Sequence, residues 1–246
     1  MELLDDIFGI EERALNAWPA LQTVMVSGWA IRMSGGFTKR ANSVNALNPR
    51  GTFEGIKGVA EGLYASAGLP AIFRISPLAS PEADIALAAA GYSLFDPSIF
   101  MTAPLDSLDN APTVEIDTSP SDEWLEGFAS ANRVTGSMRQ SHDAIVRSIA
   151  MPSAFATLRE KGQPVGFGLG VYERRFVGLF DIVVAQHARG QGMGRALTKA
   201  IMCWGREAGA EHAYLNVRDS NHVAVNLYSS LGFREAYSYH YRVPPR

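Results

Sequence analysis

The chain has 246 residues, a formal net charge of −3 and an apolar fraction of 47%. This length suits one large domain or two small ones, and the apolar fraction is enough for a proper core. A slightly acidic chain without clustered Lys and Arg is not expected to bind nucleic acid. No apolar run reaches transmembrane length, and the N-terminus is acidic rather than signal-like. We therefore expect a cytoplasmic protein that does not enter a membrane.

The first half of the chain contains helix and strand patterns that are punctuated by glycine. A helical run ends at Gly68, an apolar strand follows at residues 71–75, and a short helix ends at Gly91 before an alternating strand. Upstream, residues 35–45 form a polar segment with two adjacent cations. Two interpretations of this segment are open: a solvated hairpin, which is the commoner case for a polar loop, or one wall of an acceptor pocket.

A glycine-rich turn in the second half lies between a strand and a helix. Residues 178–184 form a short apolar strand with one acid, Asp181, and residues 189–194 read Arg-Gly-Gln-Gly-Met-Gly before a helical run that stops at Gly209. A turn of this kind directs backbone N–H groups and the positive end of the helix dipole at one point, where phosphate binds without a metal. Its spacing fits neither the dinucleotide fingerprint nor the Walker loop. The alternative is an ordinary connection with glycines for tight packing.

A second strand-and-helix unit follows the first. Residues 213–217 form a strand run, residues 219–221 supply N-cap side chains, and the helix ends at Gly232. Its apolar stripe recurs at helical spacing. The stripe consists of Ala224, Leu227, Tyr228 and Leu231.

These two units, in this order and at this separation, resemble the acetyl-CoA-binding motifs of the GNAT superfamily of N-acyltransferases. Arg189, Gly192 and Gly194 fill the loop pattern Gln/Arg-x-x-Gly-x-Gly/Ala. Asn221 and Tyr228 occupy the Asn and Tyr positions of the second segment. The resemblance covers residues 113–246 and implies an α/β (α+β) fold, in which a mixed central sheet is flanked by helices.

The resemblance implies an enzyme that moves an acetyl group from acetyl-CoA to a primary amine of a small molecule or peptide by direct attack. The strand would offer backbone N–H groups to the pantetheine and the thioester carbonyl, and the loop would hold the pyrophosphate. Arg189 and Arg195 could contact phosphates or be solvated arginines at a helix start. The implied cofactor-binding residues are Ile182, Val183, Val184, Arg189, Gly190, Gln191, Gly192, Met193, Gly194, Arg195, Asn221 and Tyr228.

Two side chains are candidates for the proton transfers of this reaction. The phenol of Tyr228 could protonate the departing thiolate. Its alternative is a helix-face Tyr with its hydroxyl at the surface. Asp181 is the candidate general base, working through water, or else a structural acid that hydrogen-bonds a neighbouring loop. Some members of the superfamily use no dedicated base, so loss of Asp181 need not abolish activity.

The chain also contains a weak internal repeat. Gly68 and Gly91 are followed by Gly209 and Gly232 at the same shift of 141 residues, within the same order of elements. This favours two tandem GNAT-like lobes: a degenerate one at residues 1–105, a linker at 106–112 and a catalytic one at 113–246. Two-lobed bacterial proteins of this type carry segments similar to residues 35–45. In the first lobe, Phe53, Ser80 and Leu87 would replace Gly192, Asn221 and Tyr228.

No metal is expected, because the histidines are scattered and form no ligand spacing. The single cysteine, Cys203, is expected to be a buried small hydrophobe, and Trp124 to be helix core. The expected partners are acetyl-CoA and an amine acceptor, bound near residues 132–139 and 235–239. Arg133 and Arg139 would favour an acceptor with some negative charge. Monomer and homodimer both stay open, as does a non-catalytic CoA-binding protein with a regulatory or scaffolding role.

Overall fold

The computed structural model describes residues 2–106, 108 and 113–245. Within these residues the helices are α1 (Glu2–Ala17), α2 (Ile56–Ser66), α3 (Pro81–Ala89), α4 (Asp122–Asn132), α5 (Gly136–Arg147), α6 (Met193–Glu207) and α7 (His222–Ser229). The strands are β1 (Gln22–Val26), β2 (Trp29–Met33), β3 (Val44–Ala46), β4 (Phe73–Ile75), β5 (Ser93–Pro104), β6 (Glu115–Asp117), β7 (Ser153–Glu160), β8 (Gln163–Glu173), β9 (Phe176–Val184), β10 (His212–Arg218) and β11 (Arg234–Val243). Short 3-10 helices lie at Lys39–Ala41 and Gln186–Ala188.

All of these strands join in one mixed sheet, in the order β1-β2-β3-β4-β11-β5-β10-β9-β8-β7-β6. The β3–β4 and β9–β10 pairs are parallel, and the other neighbours are antiparallel. The last strand of the chain, β11, lies beside β4 of the first half, and β5 lies beside β10 of the second half. The expected mixed sheet with flanking helices is confirmed, and its two halves exchange their final strands.

The order of elements repeats along the chain. Helices α3 and α7 begin 141 residues apart, and so do strands β5 and β11. The N-caps of α2 and α6 are both glycines in the left-handed region, Gly55 with φ 76° and Gly192 with φ 81°. The expected alignment of Phe53 with Gly192 is therefore wrong, because the first-half loop is longer and its helix begins later. The predicted linker at 106–112 lies mostly outside the described residues, so the lobe boundaries stay a prediction.

Alternate glycines on β8 bring helix α6 close to the sheet. A Cβ on Gly166 or Gly168 would lie 2.8 Å from a methyl carbon of Leu197 or Ile201, respectively, and one on Gly170 would lie 2.6 Å from Ile201. Both of those helix side chains are fully buried. Larger side chains at these three positions would push α6 away from the sheet. The three glycines therefore determine how closely α6 packs on the sheet, and so where its N-terminus lies relative to β9.

Candidate active site

Strands β9 and β10 separate part-way along their length. Their parallel pairing runs from Phe176 and His212 only as far as Leu179 and Leu215, although both strands continue. A β-bulge in β9 coincides with the separation, since Asp181 and Ile182 together oppose one residue of β8. Asp181 takes up the bend with a φ of 50°, in the left-handed region. The backbone of β9 beyond Leu179 therefore presents an edge without a strand partner on the β10 side.

A cavity of about 430 Å³ lies where the two strands separate. The predicted site residues that line it are Asp181, Ile182, Val183, Asn221 and Tyr228. Val184 and the glycine loop are not part of its lining. They follow along the chain from the same strand, and Arg189 Nε donates to the Val184 carbonyl at 2.9 Å.

The glycine loop leaves its backbone donors available. The N–H groups from Gly190 to Arg195 donate to no described residue, and the first bond of this turn is Ala196 N to the Gly192 carbonyl, 3.0 Å. Gly190 and Gly192 have φ values of 78° and 81°, and a Cβ on either would point into open space. Arg195 donates to the Ser230 hydroxyl. The loop can thus hold an anion against bare backbone at the start of α6.

Helix α7 positions two of the predicted side chains. The Asn221 side-chain oxygen caps the helix by accepting from Ala224 N at 3.2 Å, which leaves its amide group as a donor. Tyr228 packs edge-on against Phe233, with ring centroids 5.9 Å apart. Burial raises the pKa of Tyr228 to about 12, so its phenol stays protonated at neutral pH.

Asp181 forms a buried hydrogen-bonded chain with His142 of α5. His142 Nε2 lies 2.8 Å from Asp181 Oδ2, and His142 Nδ1 lies 3.0 Å from Asp143 Oδ1. Carboxylates only accept hydrogen bonds, so both ring nitrogens must donate, which requires the imidazolium form. The partner of Asp181 is thus a helix side chain rather than the neighbouring loop of the structural alternative.

The His142 ring lies inside an aromatic cage and is fully buried. It stacks on Phe128 with ring centroids 4.3 Å apart, and Phe37 meets it edge-on at 5.3 Å. Burial lowers the pKa of His142, but the hydrogen bonds and charges of Asp181 and Asp143 outweigh it and raise the pKa above its usual value. Nothing in the sequence marked this histidine, because only the fold brings α5 against the β9 bulge.

The first half of the chain supplies one wall of the cavity. Thr38, Lys39 and Arg40 line it opposite β9. The segment is fixed by Asn42, whose side-chain oxygen accepts from Ser34 N at 2.7 Å and from Gly36 N at 2.9 Å. Residues 41–46 are buried. The solvated-hairpin interpretation is therefore wrong, and the segment belongs to the cavity wall.

The remaining predictions concern the acceptor segments, Trp124 and Cys203. Asn132 and Tyr239 of the two predicted acceptor segments line the cavity. Arg133 donates one hydrogen bond to Gln186, Arg139 pairs with Glu126 and Asp143, and neither arginine lines the cavity. Trp124 is fully buried and Cys203 is buried on α6, as expected.

Across the described chain, no group of three or more His, Cys, Asp or Glu side chains could hold a metal ion. In the same residues, no helix has both the length and the apolar character to cross a bilayer.

Comparison with known proteins decides the family. A family model described as "Probable histone acetyltransferase Rv0428c C-terminal" matches residues 5–242. The "Uncharacterized N-acetyltransferase YobR" of Bacillus subtilis (strain 168) is 32% identical over 248 residues, covering 98% of this chain and 99% of that protein. The chain belongs to the GNAT N-acetyltransferases. It is therefore an acetyltransferase enzyme.

Solved structures agree on the GNAT fold. A GCN5-related N-acetyltransferase from Kribbella flavida superimposes with a TM-score of 0.71 at 15% identity, over 98% of this chain and 95% of that one. A tandem GNAT protein from the clavulanic acid biosynthesis pathway gives a TM-score of 0.61 at 15% identity, over 82% of this chain and 74% of that one. The predicted GNAT fold is confirmed, and a tandem arrangement has a structural precedent.

We expect the His142 imidazole to titrate above its ordinary pKa of about 6.5, and Asp181→Asn to lower that pKa by removing its strongest partner. Resonances of ¹⁵N-labelled histidines measure both values. Asp84→Asn is the matched control, because Asp84 bonds His240 at the same distance of 2.8 Å. A wild-type pKa at or below the ordinary value, or one that Asp181→Asn leaves unmoved, would contradict the imidazolium assignment.

The same ion pair makes stability depend on pH. Since folding raises the pKa of His142, its contribution is complete below about pH 6.5 and is lost as the pH rises through the folded-state value. Asp181→Asn should therefore reduce the free energy of unfolding most on the acidic side of neutrality, by roughly 1–3 kcal/mol. Denaturant unfolding on either side of the folded-state pKa measures the difference.

Proposed function

We propose that this protein transfers an acetyl group from acetyl-CoA to a primary amine of a small molecule or peptide. One observation carries the proposal: the separation of β9 from β10 joins three features at one place. It opens a strand edge, it leads into a loop with free N–H groups, and it encloses Asp181 and Tyr228 in one cavity. A thioester with a diphosphate tail needs all three, in this order along the strand.

The residues present fit the co-substrate. Gly190 to Arg195 offer backbone N–H groups and the helix dipole to the pyrophosphate, and the space outside Gly192 is open. Over Ile182 to Val184, the N–H groups of β9 that face away from β8 are offered to the pantetheine and to the thioester carbonyl. Asn221 keeps an amide donor on the opposite side of the cleft. Bound there, acetyl-CoA supplies the activated acetyl group.

Different residues of the chain then carry out the separate steps of the reaction. A strand N–H on the free edge of β9, beside Ile182, stabilises negative charge on the carbonyl oxygen as the neutral amine attacks. Asp181 accepts the proton that the amine loses, directly or through water, while His142 holds one of its oxygens and so orients the carboxylate. Tyr228 donates its proton to the departing thiolate. His142 acts through Asp181 and is a positioning residue.

The first half uses its own loop donors internally. Arg50 N and Gly51 N donate to Asn48, Glu54 N donates to Thr52, and Ile56 N donates to Phe53. Phe53 packs against Trp29 and Phe73 and closes this loop onto the core. We therefore place acetyl-CoA in residues 113–246 only. Residues 1–105 act as a non-catalytic lobe that contributes a wall of the cavity.

Binding of acetyl-CoA should be lost in Gly192→Trp, because the new ring would occupy the space beside the loop donors. Gly162→Trp is a matched control, since Gly162 has the same φ of 81° and the same open surroundings but lies in the β7–β8 turn. Calorimetric titration should give about one equivalent for the wild type and the control, and at least a tenfold weaker affinity for Gly192→Trp. Equal binding by both variants, or none by the wild type, would sink the proposed cofactor site.

Tyr228→Phe should lower kcat about 100-fold at neutral pH with little change in acetyl-CoA affinity, because the ring packing is kept and only the acid is lost. The deficit should shrink above about pH 8.5, where a thiolate leaves without protonation. Tyr172→Phe, outside the cavity, is the control. A variant as active as the wild type would remove Tyr228 from the chemistry. Binding without turnover in any wild-type assay would instead favour the regulatory alternative.

A further inference from the structure

The charges around the cavity do not balance. Lys39 pairs with Asp96 at 2.7 Å, and Arg218 lies 3.8 Å from the same carboxylate. Asp181 is matched by the imidazolium of His142. Asp96 can neutralise only one of Lys39 and Arg218, so the lining keeps an excess of positive charge, and Arg40 pairs with neither carboxylate.

The side chain of Arg40 is held by aromatic rings rather than by an anion. Its guanidinium carbon lies 5.2 Å from the ring centre of Trp18 and 5.4 Å from that of Phe180, the residue before Asp181. No described carboxylate, carbonyl or hydroxyl accepts a hydrogen bond from it. Aromatic faces orient a guanidinium without neutralising its charge, so the N–H fork of Arg40 is placed and still available.

A small polar recess that Arg40 also lines has more positively than negatively charged side chains. It holds about 20 Å³ and shares Arg40 and Asn216 with the cavity lining. Its other charges are the buried Arg32, Arg74 and Glu11, and Glu11 is already taken up by Arg74 at 2.6 Å and by Tyr237. Burial first, and the charge of Arg74 second, lower the pKa of Arg32 to about 10.

The recess is also incomplete in hydrogen bonding. The side-chain oxygens of Asn45 and Asn216 are buried and have no partner among the described residues. Buried polar atoms in folded proteins are normally paired with protein, water or ligand. These two oxygens are hydrogen-bond acceptors, so they are left for a donor such as water and not for an anion, and the group in this recess that an anion would meet is the guanidinium of Arg40.

We propose that the acceptor amine carries a carboxylate, which Arg40 binds at the floor of the cavity while the amine lies at Asp181. The planar fork of a guanidinium matches two carboxylate oxygens. Of the two arginines that line the cavity, Arg218 lies 3.8 Å from Asp96, whereas Arg40 has no carboxylate partner among the described residues. This proposal rests on the acetyltransferase activity proposed above and names its acceptor class: free amino acids and other amino-carboxylates.

The test compares acceptors that differ only in the carboxylate. Lysine and cadaverine are one such pair, and amino-carboxylates of increasing chain length with the corresponding alkylamines form a series. For the wild type, kcat/KM should favour the best carboxylate-bearing member over its partner about 10- to 100-fold, mainly through KM. In Arg40→Gln this ratio should fall towards one, and Arg40→Lys should restore part of it.

Two controls separate binding from folding. Arg50→Gln removes an exposed arginine of the same half and should keep the wild-type ratio. Carboxylates without an amine should inhibit the wild type competitively against the acceptor. This inhibition should weaken in Arg40→Gln, while the acetyl-CoA affinity of that variant stays at the wild-type value. Inhibition does not require acetyl transfer, so it reports on the anion site directly.

Each outcome that contradicts the carboxylate proposal has a different consequence for the proposed function. Equal use of paired acceptors by the wild type, or a preference that survives in Arg40→Gln, would overturn the carboxylate proposal and leave the acetyltransferase standing. A stronger preference for an amine bearing a phosphate, or for a basic peptide, would overturn it in favour of that acceptor. Acetyl transfer to no amine at all would overturn the proposed function, and this inference with it.

Discussion

The parting of β9 from β10 after Leu179 and Leu215 is the constraint that organises this molecule. Two parallel neighbours that stop pairing leave an open strand edge, which a bulge at Asp181 turns towards the cavity. The same bulge aims the Asp181 carboxylate back at α5, where His142 compensates its charge inside an aromatic cage. The bulge at Asp181 thus accounts both for the open edge of the sheet and for the buried ion pair. The ion pair is what lets an acid occupy an otherwise apolar strand.

Exchange of the final strands makes each half of the chain depend on the other for its sheet. Strand β5 lies beside β10 and supports the far edge of the cleft, and β11 lies beside β4 and carries Tyr239 into the cavity lining. Neither half has a complete sheet by itself. The segment with Lys39 and Arg40 belongs to this shared architecture, so the first half of the chain is in a position to contact an acceptor in the cavity.

Local patterns predicted the parts of the site that are continuous in sequence. The glycine loop, the strand before it, and Asn221 with Tyr228 on α7 are all predicted from the resemblance to the superfamily's motifs, because each motif is one strand–turn–helix unit. His142 and Asn216 are not, since they meet Asp181 or line its cavity only through contacts between distant elements. Arg40 lies in residues 35–45, for which a pocket wall is only one of the two interpretations that the sequence leaves open. The strand exchange was equally invisible, because a repeat of elements does not say which half each final strand joins. The error at Phe53 arose because loop length cannot be read from two matching residues.

A crystal structure with an unreactive acetyl-CoA analogue would test the central claim most directly. The account predicts the diphosphate on the backbone of Gly190 to Arg195, and the pantetheine between β9 and β10. It also predicts the acyl carbonyl at the free edge beside Ile182 and Val183, within the cavity that Asp181, Tyr228 and Arg40 share. An analogue bound at the start of α2 beside Gly55, or one that leaves the gap between β9 and β10 empty, would contradict it.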